Sequence, residues 1–167
     1  MTEDKTIEIL KSAILLEKRG QAFYSKIARQ TSGKAVKTFF ELMADEEVKH
    51  VAILTEQFKA YRQNKKFNPG DYQEDHGDGI SSKVLTKELK TEISAADYEA
   101  AAISAAMAME KNAIQLYSDR ASDAVDPNEK ALYKWLAEWE MQHLNFLAEI
   151  DKELTEQVWH DNNFWPF

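Results

Sequence analysis

Two segments of this chain occur twice. LLEKRGQAFYSKIA at residues 15–28 matches AMEKNAIQLYSDRA at 108–121, and LMADEEVKHVAIL at 42–54 matches WLAEWEMQHLNFL at 135–147. One shift, the one that carries Glu17 onto Glu110, aligns both pairs without a gap. An ungapped match across two segments and their connection marks an internal duplication, so the second half must repeat the fold of the first. Within each segment apolar residues recur every three or four positions, the period of an amphipathic helix. The repeated unit is therefore a helical hairpin. Each hairpin carries apolar stripes that the other can cover, and the expected architecture is an all-α four-helix bundle.

The spacing of turn residues sets the boundaries. The first helix is predicted from about Thr6 to Arg29 and, after the break QTSGK, the second from about Lys34 to Tyr61. The third runs from near Ser94, with Asp97 as its N-cap partner, to near Ala121. The fourth starts at Asp126-Pro127, an N-cap followed by proline in the first helical position, with Glu129 completing the capping pattern, and runs to about Leu154. Both helix–helix connections are short, which makes each pair antiparallel. One domain is expected over 1–167, with hairpin one at about 6–61, a crossover at about 62–93, hairpin two at about 94–154 and an aromatic tail at 155–167. Within the polar crossover, KVLTKELK has the composition of a short helix.

The duplication also singles out polar residues. Glu17 matches Glu110, Tyr24 matches Tyr117, Glu47 matches Glu140 and His50 matches His143. All lie within apolar stripes: Leu10, Ile14, Glu17 and Tyr24; Met43, Glu47, His50 and Leu54; Ile103, Met107, Glu110 and Tyr117; Leu136, Glu140, His143 and Leu147. In each Glu-x-x-His motif the two side chains share one helical face. Glu17 and Glu47 stand about fifteen residues either side of their turn, roughly 22 Å from it at 1.5 Å per residue. Glu110 and Glu140 are placed likewise, so carboxylates and imidazoles are expected to meet at one level of the bundle.

Carboxylates buried together cannot all stay ionised. Two divalent cations would balance the four carboxylates of this set, and two neutral imidazoles complete the ligands. An oxygen-rich set with one nitrogen per metal favours iron, or manganese, over zinc–thiolate or copper chemistry. The expected ligands are Glu17, Glu47, His50, Glu110, Glu140 and His143, around two metal ions about 4 Å apart. Zinc or another substitute is an expected occupant of recombinant protein. Glu46 precedes His50 by four residues but matches Trp139, so the register selects Glu47 and leaves Glu46 as a solvated residue whose removal should do little. Three roles stay open for Tyr24 and Tyr117: a hydrogen bond to a ligand carboxylate, electron transfer, or core packing. Two stay open for the small pair Gly20 and Ala113: space beside the metals, or close helix packing. Asp75, His76 and Asp78 read as a solvated loop, and His160 receives no role.

Composition narrows the function classes. The formal charge of −8 argues against nucleic-acid binding. The chain has no cysteine, which removes disulfides, zinc–thiolate sites, iron–sulfur clusters and thiol catalysis. No apolar run has the length of a membrane span, and MTEDKTIEIL lacks a signal-peptide core, so cytoplasmic residence is expected.

AILLEKRGQAFY, ADEEVKH, AMEKNAIQLY and AEWEMQH resemble the rubrerythrin-like branch of the ferritin-like superfamily, over nearly all of the chain up to about Leu154. The resemblance implies a ferritin-like bundle with a di-iron centre, in which Glu47 and Glu140 bridge both irons. Glu17 and His50 would complete one iron, and Glu110 and His143 the other. It also implies reduction of hydrogen peroxide, or oxidation of ferrous iron by dioxygen. The chain lacks the Cys-x-x-Cys module of true rubrerythrins, so its electron donor would be a separate protein. It has Ala113 where they carry an extra carboxylate, which leaves a symmetrical six-ligand set like that of bacterioferritins.

Three functions are therefore in competition: a di-iron oxidoreductase acting on peroxide or dioxygen in oxidative-stress defence, a ferroxidase that handles iron, and a bundle whose metals are mainly structural. The tail, with Trp159, Phe164, Trp165 and Phe167, together with Trp139 and Phe146 off the inward stripe, leads us to expect a homodimer that buries these aromatics.

Overall fold

The computed structural model describes residues 3–72, 87–93 and 97–161. They form five helices: α1 (Glu3–Gln30), α2 (Lys34–Asn64), α3 (Lys87–Ile93), α4 (Asp97–Asp123) and α5 (Pro127–Asp161). α1 packs along α2 and α4 along α5, while α1 also meets α4 and the short α3 touches α2 and α5. The fold is the all-α four-helix bundle that the duplication requires, with α3 as a short added helix inside the crossover. Among the described residues no helix is long and apolar enough to cross a membrane.

The buried faces repeat as the sequence does. Leu10, Ala13, Glu17 and Tyr24 are buried in α1, and their counterparts Ile103, Ala106, Glu110 and Tyr117 are buried in α4. Met43, Glu47, His50 and Leu54 in α2 answer to Leu136, Glu140, His143 and Leu147 in α5. The polar level lies between two apolar clusters. Phe39, Phe40, Met43 and Leu147 belong to one, and Leu10, Leu54, Leu132 and Leu136 to the other. Each such side chain contributes roughly 1.5–3 kcal/mol on burial, and the two clusters clamp the polar level from both ends.

Helix ends follow local chemistry. At the start of α5 the Asp126 Oδ1 accepts a hydrogen bond from the Asn128 N–H at 2.8 Å, with Pro127 at the first helical position. Glu129, expected to complete that cap, instead accepts a buried hydrogen bond from the Arg120 guanidinium. α2 begins after Gly33, which has no side chain to cap it. Glu92 of α3 supplies the cap from outside, accepting from the Ala35 and Val36 N–H groups at 2.8 and 3.1 Å. A Cβ on Gly33 would stand 2.5 Å from the Glu92 carboxylate, so a side chain there would push that carboxylate off its capping position. The crossover is thus tied to the first hairpin through a helix N-terminus.

α2 extends beyond the expected Tyr61 to Asn64 because the breaking residues Pro69 and Gly70 come later, and Lys65 closes it in the left-handed conformation. α5 passes the expected Leu154 and reaches Asp161, as no glycine or proline intervenes. Ser94, the Asp75–His76–Asp78 group, the side chains of Trp159 and His160, and the aromatics at 164–167 lie outside the described residues.

Candidate metal centre

Each long helix contributes to the polar level what its period dictates: Glu17 from α1, Glu47 and His50 from α2, Glu110 from α4, Glu140 and His143 from α5. All six are buried, with exposures of 1–3%. Ligand atoms of Glu17, Glu47, His50 and Glu140 lie within 4.8 Å of one another, and so do those of Glu47, Glu110, Glu140 and His143. Glu47 and Glu140 belong to both groups, so the cluster consists of two four-residue sites that share two carboxylates.

Both imidazoles turn Nδ1 toward the carboxylates. His50 Nδ1 lies 3.2 Å from Glu17, 3.4 Å from Glu47 and 2.9 Å from Glu140. His143 Nδ1 lies 3.1 Å from Glu140, 3.7 Å from Glu110 and 3.8 Å from Glu47. The two rings stack with centroids 6.0 Å apart. The tyrosines act across the hairpins: the Tyr24 hydroxyl donates to Glu110 and the Tyr117 hydroxyl donates to Glu17. Each phenol is held by a ring at the matching position, Phe40 against Tyr24 and Tyr133 against Tyr117. Of the roles left open by the sequence, the structure displays the hydrogen bond to a cluster carboxylate.

The electrostatics show how much positive charge this level demands. Burial, then the Glu140 charge, pushes Glu47 well up, and the same causes push Glu110 up to about 8. Burial by itself would lower both histidines, but Glu140 and the hydrogen-bonded carboxylates raise them well above their ordinary value. Burial would raise Glu140 too, yet the two histidines hold it well below the carboxylate range. Protons therefore occupy the level in the absence of cations. Even so, Glu47 Oε2, Glu140 Oε1 and His50 Nε2 remain without a hydrogen-bond partner among the described residues. Glu140 Oε1 makes an ion-pair contact with His50 that lacks hydrogen-bond geometry. Buried oxygens with unused lone pairs are the donor set that a hard or borderline divalent cation takes, and the residues present fit a pair of such ions.

A family model described as Rubrerythrin matches residues 8–151. The chain belongs to the rubrerythrin family. Rubrerythrins are members of the ferritin-like superfamily and carry a di-iron or related metal site, and this chain has a carboxylate–histidine cluster of the kind that holds metal. Neither the curated proteins nor the solved structures contain a match to the chain.

Within this rubrerythrin fold one residue departs from the expectation drawn from its sequence. Glu46 is not solvated. It is buried at 8% exposure, and its Oε2 lies 2.5 Å from His143 Nε2 and 3.2 Å from Trp139 Nε1. The sequence placed it beside His50, four residues along its own helix, but the packing of α2 against α5 turns it to the histidine of the other hairpin. Its only sequence signal was its place next to an inward-facing Glu. Trp139, expected on an outer face, is half-buried between α2 and α5, edge-on to His50 at 5.9 Å.

Gly20 also finds a reason. A Cβ there would stand 3.3 Å from Glu47 Cδ, so the missing side chain lets a shared carboxylate lie against α1. Beside it a cavity of about 20 Å³ is lined by Leu16, Glu17, Gly20, Glu47, Met109, Glu110, Ala113 and Glu140. That volume is the size of one water-like molecule. Close packing and space beside the cluster, alternatives in the sequence, coexist here.

Proposed function

We propose that this rubrerythrin-family chain is a di-iron carboxylate oxidoreductase that reduces peroxide or activates dioxygen, with electrons from a separate donor protein. The observation that carries this reading is the pair of four-residue sites sharing Glu47 and Glu140, with a cavity of about 20 Å³ against the shared carboxylates. Glu17, Glu47 and His50, with Glu140, would hold one iron, and Glu110, Glu140 and His143, with Glu47, the other. Manganese suits the same donors. Bound iron supplies the redox chemistry toward peroxide or dioxygen. The protein's own groups do the positioning. Tyr24 and Tyr117 each spend a hydroxyl proton on a carboxylate and so fix its free oxygen. The apolar clusters on either side exclude bulk water, which strengthens every charge interaction between them. The cavity puts space for a small molecule directly against the shared carboxylates. An external electron donor, cytoplasmic residence and a homodimer belong to the same proposal.

A second reading, a ferroxidase, is favoured by Ala113, which puts a methyl group rather than a further carboxylate on the cavity wall. The deciding experiment loads the protein with ferrous iron without oxygen and mixes it separately with hydrogen peroxide and with dioxygen. Faster oxidation by peroxide, followed by turnover with a reductant, supports the peroxidase form. Faster oxidation by dioxygen with continued uptake of ferrous iron supports the ferroxidase. Loaded protein inert to both leaves the structural role.

A further inference from the structure

The two halves of the cluster match residue for residue in their ligands but not behind their histidines. Behind His143, the Nε2 faces the Glu46 carboxylate at 2.5 Å, and Trp139 Nε1 lies 3.2 Å from the same oxygen. Behind His50, the duplication places Trp139 where His143 has Glu46. The His50 ring accordingly packs against indole there. Its Nε2 is buried without a hydrogen-bond partner among the described residues, with the rings of Trp135 and Trp139 edge-on at 5.8 and 5.9 Å.

An ionised carboxylate accepts hydrogen bonds and cannot donate them. With Glu46 ionised, the 2.5 Å contact places a proton on Nε2 of His143, so a cation that replaces the proton on Nδ1 meets that lone pair directed at the cluster. The same contact makes that nitrogen a stronger donor to a cation. Among the described residues His50 has no such partner to set its tautomer or raise its basicity.

We propose that Glu46 is a positioning residue for His143, and that its replacement by Trp139 in the second repeat makes the two metal positions unequal, the one completed by Glu110 and His143 binding a divalent cation first and more tightly. This rests on the reading of the cluster as a two-metal centre. Outer-shell partners of ligating histidines commonly contribute about 10–100-fold in metal affinity, and the two positions differ by that factor.

The test is a titration of chelator-treated full-length protein with cobalt(II), followed by visible absorption and by proton NMR of protein carrying 15N-labelled histidine. Wild type is expected to bind two equivalents in two steps about 10–100-fold apart. The first equivalent brings out one exchangeable, hyperfine-shifted imidazole N–H, that of His143. Glu46→Gln, which keeps the shape and removes the charge, should weaken the first step about tenfold and move that resonance. Glu46→Leu should weaken it further and lose the resonance to exchange, while the second step changes less than about threefold in both variants. Far-UV circular dichroism reports whether each variant keeps its helices, and an unfolded Glu46→Leu leaves Glu46→Gln to decide. Two equal steps in wild type, or a first step and resonance unmoved by Glu46→Gln, overturn the inference while leaving a two-metal centre intact. No cobalt uptake at the cluster overturns both.

Discussion

Metal-free protein should be most stable in mild acid, and the cluster determines by how much. Glu110 is raised from 4.5 to about 8 by burial and by the Glu140 charge. A carboxyl with that shift keeps its proton in the folded state and loses it on unfolding at neutral pH. Its stabilising contribution is complete below the unfolded value near 4.5 and disappears as pH rises through about 8. Between pH 5 and pH 8 this one group removes about 3 kcal/mol. Glu47, His50 and His143 are raised as well, so each adds a loss of the same sign on the alkaline side. Glu140 and Glu46 are lowered, so their contributions are present above the ordinary carboxylate value and are lost as pH falls through their depressed ones. Tyr24 and Tyr117 are raised above 10 and do not titrate in this range. The maximum therefore lies near pH 5, with a fall on both sides. At this chain length about 3 kcal/mol corresponds to roughly 6–12 °C in Tm between pH 5 and pH 8. The assay is thermal unfolding followed by helical circular dichroism, with chelator present, from pH 4 to 9. Cations compete with these same protons, so with manganese(II) in excess the dependence reverses and the stabilisation by metal grows with pH. A metal-free Tm that is flat, or that climbs from pH 5 to pH 8, would refute the proton-filled cluster.

Three further outcomes are expected. Glu47→Ala and Glu140→Ala each remove a residue common to both sites, so metal analysis should find both ions depleted. Glu17→Ala and Glu110→Ala should lose about one ion each, and equal occupancy across the four variants would exclude a bridging role. Tyr24→Phe and Tyr117→Phe remove a hydrogen bond to a buried carboxylate and should lower the stability of metal-loaded protein by about 1–3 kcal/mol in denaturant unfolding; unchanged midpoints would reduce both rings to packing. Sedimentation at micromolar concentration should give a dimer for the full chain and a weaker one after truncation behind Trp159, and a full-length monomer rules the dimer out.

The bundle and the cluster's composition were legible in the sequence because helical periodicity is local and the duplication cancels the ambiguity of register. Glu46 and Glu47 are both acidic and adjacent to the same face, but only Glu47 has an acidic counterpart, Glu140, and that comparison placed the inward set without a structure. The turn at Asp126-Pro127 was equally local, since its cap involves atoms two residues apart. What depends on how the helices are rotated against one another could not be read this way. Whether Glu46 faces water, His50 or His143 is settled by the packing of α2 on α5, which joins residues 97 positions apart. The crossed pairing of Tyr24 with Glu110 and Tyr117 with Glu17 likewise exists only once the two hairpins meet. So does the Glu92 cap on α2, which arrives from a different helix. A helical period tells which side chains point inward, but residues at the edge of the stripe acquire their partners from the neighbouring helix. In this chain that edge separates two carboxylates one residue apart, one within the cluster and the other behind its histidine.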